Sequence, residues 1–175
     1  SLCSVETCAN EIDDDGDGLT DCYDPDCGQT TNREFDGGTT DWVLYQNGAS
    51  GTFTVDNTSQ LFGYNSAKIN TTTATGTDWH LQFAQIGKSI VAGTTYKLSF
   101  KAKAASNRTI SAAVDLGSSP FTSYLWQNVA LTTSGQLFSY TFTAPATINN
   151  NIRTIFNLGT TAGNVWLDDI RLEEV

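Results

Sequence analysis

From Gly28 onward apolar and polar residues take turns. Tyr96, Leu98 and Phe100 are separated by Lys97 and Ser99; Ile110, Ala112 and Val114 by Ser111 and Ala113; Phe138, Tyr140 and Phe142 by Ser139 and Thr141. Successive side chains of an extended chain point to opposite faces, so a period of two predicts strands with one buried face. Turn-forming residues interrupt the runs at Asn47-Gly48, Asn57-Thr58-Ser59, Thr75-Gly76, Ala92-Gly93, Ser106-Asn107, Leu116-Gly117, Ser134-Gly135, Asn149-Asn150-Asn151 and Ala162-Gly163. That spacing predicts eight or more short strands in one all-β domain, a β-sandwich of the jelly-roll type, over residues 28–175. The stretch is rich in Thr, Asn, Gly, Ser and aromatics, the whole chain has three Pro and no Met, and its length suffices for one hydrophobic core. Trp42 and Trp166 lie in apolar surroundings and are expected in that core. No run approaches the roughly 18 apolar residues of a membrane span.

Charge and cysteine set the first 27 residues apart. They hold seven Asp, two Glu and no Lys or Arg, so nearly all of the net charge of −10 sits there, and all four cysteines, Cys3, Cys8, Cys22 and Cys27, fall in the same stretch. Within it, residues 13–24 place Asp13, Asp15, Asp17, Asp21 and Asp24 at loop positions 1, 3, 5, 9 and 12, with Gly18 at position 6 and the carbonyl of Leu19 at position 7. Calcium takes six to eight hard oxygen ligands, and an EF-hand-type loop supplies them from these positions. Position 12 departs from the usual Glu. Four closely spaced cysteines read as two disulfides and an oxidising, extracellular compartment; the rival is a four-cysteine zinc site, against which the many acidic oxygens argue. Three pairings are possible. A segment this short has little core of its own, so cross-links and a metal would replace one. The near-neutral remainder offers no phosphate-binding surface, which excludes nucleic acid as an expected partner. The start at Ser1 rather than Met is read as that of a processed piece of a secreted protein.

A set of ordered features carries a resemblance: Asn32-Arg33-Glu34-Phe35-Asp36-Gly37, Asp41-Trp42, Ala67-Lys68-Ile69, Trp79-His80-Leu81-Gln82, the stretch from Ala92-Gly93 through Tyr96-Lys97-Leu98-Ser99-Phe100 to Lys103, and Asp168-Asp169-Ile170-Arg171-Leu172. Residues 31–174 resemble the carbohydrate-binding modules of families 4, 9 and 22. The resemblance implies a non-catalytic jelly roll appended to secreted polysaccharide-degrading enzymes, with xylan, amorphous cellulose and mixed or β-1,3-glucans as ligands. It also implies a second, structural calcium ion where Asp36 and Asp168 meet, completed by backbone carbonyls near Glu34 and around Asn65 to Ser66. The N-terminal segment resembles the Cys-flanked calcium units of secreted bacterial surface proteins and one half of a dockerin.

A pyranose shows an apolar C–H face and a hydroxyl rim, so a site for it needs flat aromatics ringed by amides or carboxylates. Trp79, opening a strand after the polar loop Thr75-Gly76-Thr77-Asp78, is the expected stacking platform; the alternative is edge packing. With Leu81 and Phe83 inward, parity turns His80 and Gln82 to the opposite surface, and with Phe156 and Leu158 inward it turns out Arg153, Ile155 and Asn157. Phe121, Tyr124 and Trp126 offer further platforms on a strand of uncertain register, and Gln82, Asn157 and Tyr124 offer hydrogen bonds. Each of these could equally be a solvated strand residue. Catalysis lacks support: His80 is the single histidine, and there is no nucleophile elbow and no placed carboxylate pair. The expectation is therefore a secreted, calcium-stabilised polysaccharide-binding module of a multidomain protein on a bacterial cell surface. The rival is a calcium-dependent structural subunit of an extracellular fibre or surface layer.

Overall fold

The computed structural model describes residues 30–175. Ten strands run through them: β1 (Val43–Gln46), β2 (Ser50–Asp56), β3 (Ser66–Thr73), β4 (Leu81–Ile90), β5 (Thr95–Ala104), β6 (Arg108–Leu116), β7 (Ser123–Leu131), β8 (Gln136–Thr143), β9 (Ile148–Asn157) and β10 (Gly163–Glu174), with one turn of 3-10 helix at Asp78–His80. They form two five-stranded sheets, one in the order β1-β4-β9-β6-β7 and the other β2-β3-β10-β5-β8. Every pairing is antiparallel. This is the β-sandwich the alternation predicts, closed by non-local pairing such as that of β4 with β9.

The inward residues make one core. Leu81, Phe83, Tyr96, Leu98, Phe100, Phe156, Leu158, Val165 and Leu167 have no exposed surface, and Trp42 stacks on Phe83 at 4.7 Å between ring centroids. Truncating such an aromatic costs about 3–5 kcal/mol in lost transfer energy and residual cavity.

Two expectations about this layer need correction. Trp166 is not in the core. Val165 and Leu167 face inward, so parity throws Trp166 onto the outer face of the second sheet, where its indole N–H donates to Asp56 at 2.8 Å. The ammonium groups of Lys68 and Lys103 sit 5.4 and 5.2 Å from its ring centroid. Residues 149–151, expected as a turn, are the irregular start of β9, with Asn150 at φ 53° and two shifts of the β4–β9 register nearby. The chain turns instead at residues 144–147, around Pro145.

The segment between β2 and β3 lies over the outer face of the second sheet. The amides of Leu61 and Phe62 donate to Asp168 on β10, Lys101 of β5 sits 3.6 Å from the Phe62 ring centroid, and Leu61 reaches the turn at Gly135. No helix among the described residues is long and apolar enough to cross a membrane.

Candidate functional site

The outer face of the first sheet carries three rows of side chains running across its strands. The first is polar. Register places Gln82 of β4 opposite Asn157 of β9, and Asn157 opposite Ser111 of β6. Asn47 donates to Gln82 at 3.2 Å, Gln82 to Asn157 at 2.9 Å, Asn157 to Ser111 at 3.1 Å, and Ser111 to the Asp78 carboxylate at 2.9 Å. All four bonds run in one sense and end on a charge, the arrangement in which successive dipoles reinforce each other.

The second row is apolar, with a small residue on each side of Ile155. Ala84, Ile155 and Ala113 lie side by side on β4, β9 and β6, fully buried, with Tyr45 packed against them. The third row is one ion pair: Arg153 grips Asp115 with both ends of its guanidinium, at 2.6 and 3.0 Å. Burial pushes the Asp115 carboxyl above its ordinary range and the guanidinium pulls it back. The same guanidinium lies 5.0 Å from the Phe121 ring centroid.

Three aromatics stand above these rows, Trp79 and Phe121 each 50% exposed and Trp126 45%. They are far more open than core aromatics, and with Asn47, Gln82, Asp115, Ser123 and Arg153 they line a groove of about 510 Å³. A second hollow of about 600 Å³ adjoins the far end of the polar row, around Asp78, Ser111 and Asn128. Trp79 rides on the Asp78–His80 turn, which two glycines let the neighbouring loops clamp. A Cβ at Gly159 would fall 2.3 Å from the Thr77 carbonyl, and Gly48, at φ 139°, would place one 2.7 Å from the His80 ring. Asn47 and Ala49 both donate to the His80 carbonyl, at 2.8 and 3.3 Å.

Of the residues expected to hold a ligand, Trp79, Gln82, Phe121 and Trp126 come together on the groove. Asn157 lies beneath it, 1% exposed, with both ends of its amide bonded inside the row. Tyr124 is turned toward the core. A register shift between β6 and β7 sets Ser123 rather than Tyr124 opposite Asp115, and the irregularity re-aims the ring. Trp79 sits on a helical turn rather than opening a strand, and His80 shares that turn, bonded to Thr75 at 2.8 Å. Sequence reasoning missed the roles of Asn47, Ser111 and the Arg153–Asp115 pair. Outward parity marked Arg153, but nothing local announces a partner 38 residues away.

The groups expected around a second calcium ion converge on the loop before β3. Asp36 accepts from the side chain of Asn65 at 2.9 Å, and the Glu34 carboxylate lies near Gly63. The Asp168 carboxylate takes the hydroxyl of Ser66 at 2.7 Å and the amides of Phe62, Leu61 and Asp169 at 2.8, 3.3 and 2.8 Å. Three of these donors converge on one carboxylate oxygen and the fourth on the other. As arranged, these residues anchor a loop. Burial pushes the Asp168 carboxyl up to about 6 against the pull of those donors. Among the described residues no three or more His, Cys, Asp or Glu side chains gather to hold a metal. Asp13, Asp15, Asp17, Leu19, Asp21 and Asp24, and the cysteines Cys3, Cys8, Cys22 and Cys27, lie outside the described residues.

A groove with exposed aromatics over an amide row is the geometry a sugar chain requires, and the family comparison agrees. The profile described as a carbohydrate binding domain, of types 4 and 9, matches residues 28–163. The chain belongs to this family. It is a carbohydrate-binding module, non-catalytic, built as a jelly roll. Among solved structures the module is similar to one described as "CBM4 structure and function", at 28% identity over 84% of this chain and 100% of that one, with a TM-score of 0.75. It is also similar to the N-terminal cellulose-binding domain of Cellulomonas fimi β-1,4-glucanase C, at 25% identity over 81% and 97%, with a TM-score of 0.57. The second cellulose-binding domain of that enzyme shares the fold, at 19% identity over 85% and 94%, with a TM-score of 0.64. No curated protein matches the module.

Proposed function

We infer that the module binds a polysaccharide of the β-glucan or xylan type in the groove between Trp79, Phe121 and Trp126, as part of a secreted protein. The observation that carries this reading is the presence, on one sheet face, of three half-exposed aromatic rings above the Gln82 amide and the Asp115–Arg153 pair. The rings supply stacking surface for C–H faces, and the polar row supplies fixed partners for hydroxyls. A relative at 25% identity is a cellulose-binding domain of a β-1,4-glucanase, which supports the β-glucan side of the choice. The test is a glycan titration paired with a thermal melt. Trp79→Ala is expected to weaken binding by about 2 kcal/mol or more, roughly 30-fold, with a small change in melting temperature. Trp42→Ala is expected to destabilise the fold by about 3–5 kcal/mol. Unchanged binding by Trp79→Ala to soluble glucans and xylans would refute the assignment.

The loop of residues 13–24 is the second element of the reading. Its carboxylate spacing supports one bound calcium ion, with the four cysteines paired as disulfides around it. Asp13→Ala combined with Asp17→Ala is expected to remove one calcium equivalent while residues 28–175 stay folded. Unaltered calcium stoichiometry would sink it.

A further inference from the structure

Edge strands of natural sheets are blunted by shortness, by bulges or by charge, because an open row of backbone N–H and C=O groups invites another strand. Three of the four edges here follow that rule. β1 has four residues, β2 ends in the charged Asp56, and β7 carries the shift that re-aims Tyr124. β8 has no such device. It spans eight residues, keeps unbroken register with β5 from Thr95↔Thr143 to Ala102↔Gln136, and contains neither charge nor Pro. Its outward side chains are Leu137, Ser139, Thr141 and Thr143, with Leu137 66% exposed, and Phe138 and Tyr140 are only partly covered from the edge.

Charge says what can approach this edge. From Leu116 to Ile152 the sequence holds no Asp, Glu, Lys or Arg, and that stretch contains both β7 and β8, which run beside one another along one side of the sandwich. Two copies of a chain carrying −10 repel each other at long range, and among the described residues this side is where they can meet without opposing like charges. We propose that β8 is a self-association edge, pairing antiparallel with β8 of a second copy about a two-fold axis at Ser139. Residues opposite each other in an antiparallel pair share a face, so Ser139 meets its own mate and Leu137 meets Thr141. The isologous contact is closed, and the two second sheets become one continuous sheet of ten strands. The axis is perpendicular to that sheet, so both copies present their first sheets in the same direction. Under the glycan reading above, both grooves then open toward one polysaccharide surface, and engaging both raises avidity without a new sugar contact.

Sedimentation velocity on the full chain, from about 1 to about 200 µM, tests this over the range where a moderate interface fills. The expected result is a concentration-dependent dimer that strengthens with added salt as charge repulsion is screened. Ser139→Lys sets two like charges directly opposite each other and is expected to weaken association at least about tenfold. Val43→Lys, on the β1 edge, is expected to leave association unchanged. Amide hydrogen exchange of residues 136–143 in the unaltered chain is expected to slow as concentration rises. A monomer throughout the range, a dimer indifferent to Ser139→Lys, a dimer lost equally with Val43→Lys, or β8 exchange independent of concentration would each overturn the proposal.

Discussion

Gln82 donates to Asn157 at 2.9 Å, from β4 to β9, and Asn157 passes its own amide hydrogen to Ser111. Asn157 is therefore a positioning residue: it fixes the amide that faces the groove without facing it. Asn157→Ala is expected to cost about 1–3 kcal/mol of stability by leaving buried partners unsatisfied, and to weaken glycan binding through a loosened Gln82. Gln82→Ala is expected to weaken binding with the smaller loss of stability. Paired melts and titrations of the two variants check the order; equal melts would contradict the positioning role.

The Arg153–Asp115 pair tests whether the third row is scaffold. Asp115 is 4% exposed, so Arg153→Ala would strand a buried carboxylate, at a cost of about 3–5 kcal/mol. Removing both partners together is expected to recover most of that loss. A double-mutant cycle by chemical denaturation measures the coupling, and additive single effects would contradict the pairing.

Asp168 holds the loop before β3 by three donors from outside its own strand. Asp168→Ala is expected to lower stability by about 3 kcal/mol through unsatisfied amides, and to open residues 57–65 to protease first. The loss is expected to be equal in calcium and in chelator. A loss seen only in calcium would instead establish the ion shared with Asp36.

Asp56 gives a pH dependence of defined sign. The Thr58 hydroxyl, the Trp166 indole, the Thr58 amide and Lys68 hold its carboxyl well below the ordinary value of 3.8, burial opposing them. A carboxyl lowered in the fold contributes stability that is whole above its unfolded value and is lost as pH falls through its folded one. The stability difference between the parent and Asp56→Asn is thus expected to be constant from neutral pH to about 4 and to shrink below it. Melts at successive pH values check this; a difference that grows on acidification would reverse the sign.

The strands and the faces were legible in the sequence because parity is local. Leu81 and Phe83 in, Gln82 out, required only that the stretch be extended. The aromatic set was legible for the same reason, except at Tyr124, where one irregular residue reverses facing and leaves no mark in composition. Trp166 is not legible from its neighbours because an apolar run reads as buried on both faces, whereas its strand has an outer face. The donors to Asp168 were illegible: they come from 102 to 107 residues away, and loop backbone makes no pattern.

Ala84 and Ala113 sit beneath the groove, each offering one methyl group where most outward strand positions carry a longer side chain. Their shortness gives Gln82, two positions from Ala84 on β4, and Arg153, held across from Asp115 two positions from Ala113 on β6, room to stay low between Trp79, Phe121 and Trp126. Groove depth is thus governed by two residues buried out of any ligand's reach. A bulkier side chain at either would raise the floor and change which sugar-chain shapes fit, with every contacting residue intact. Divergence in preference between related modules could begin at such positions, where comparing contact residues alone would find nothing.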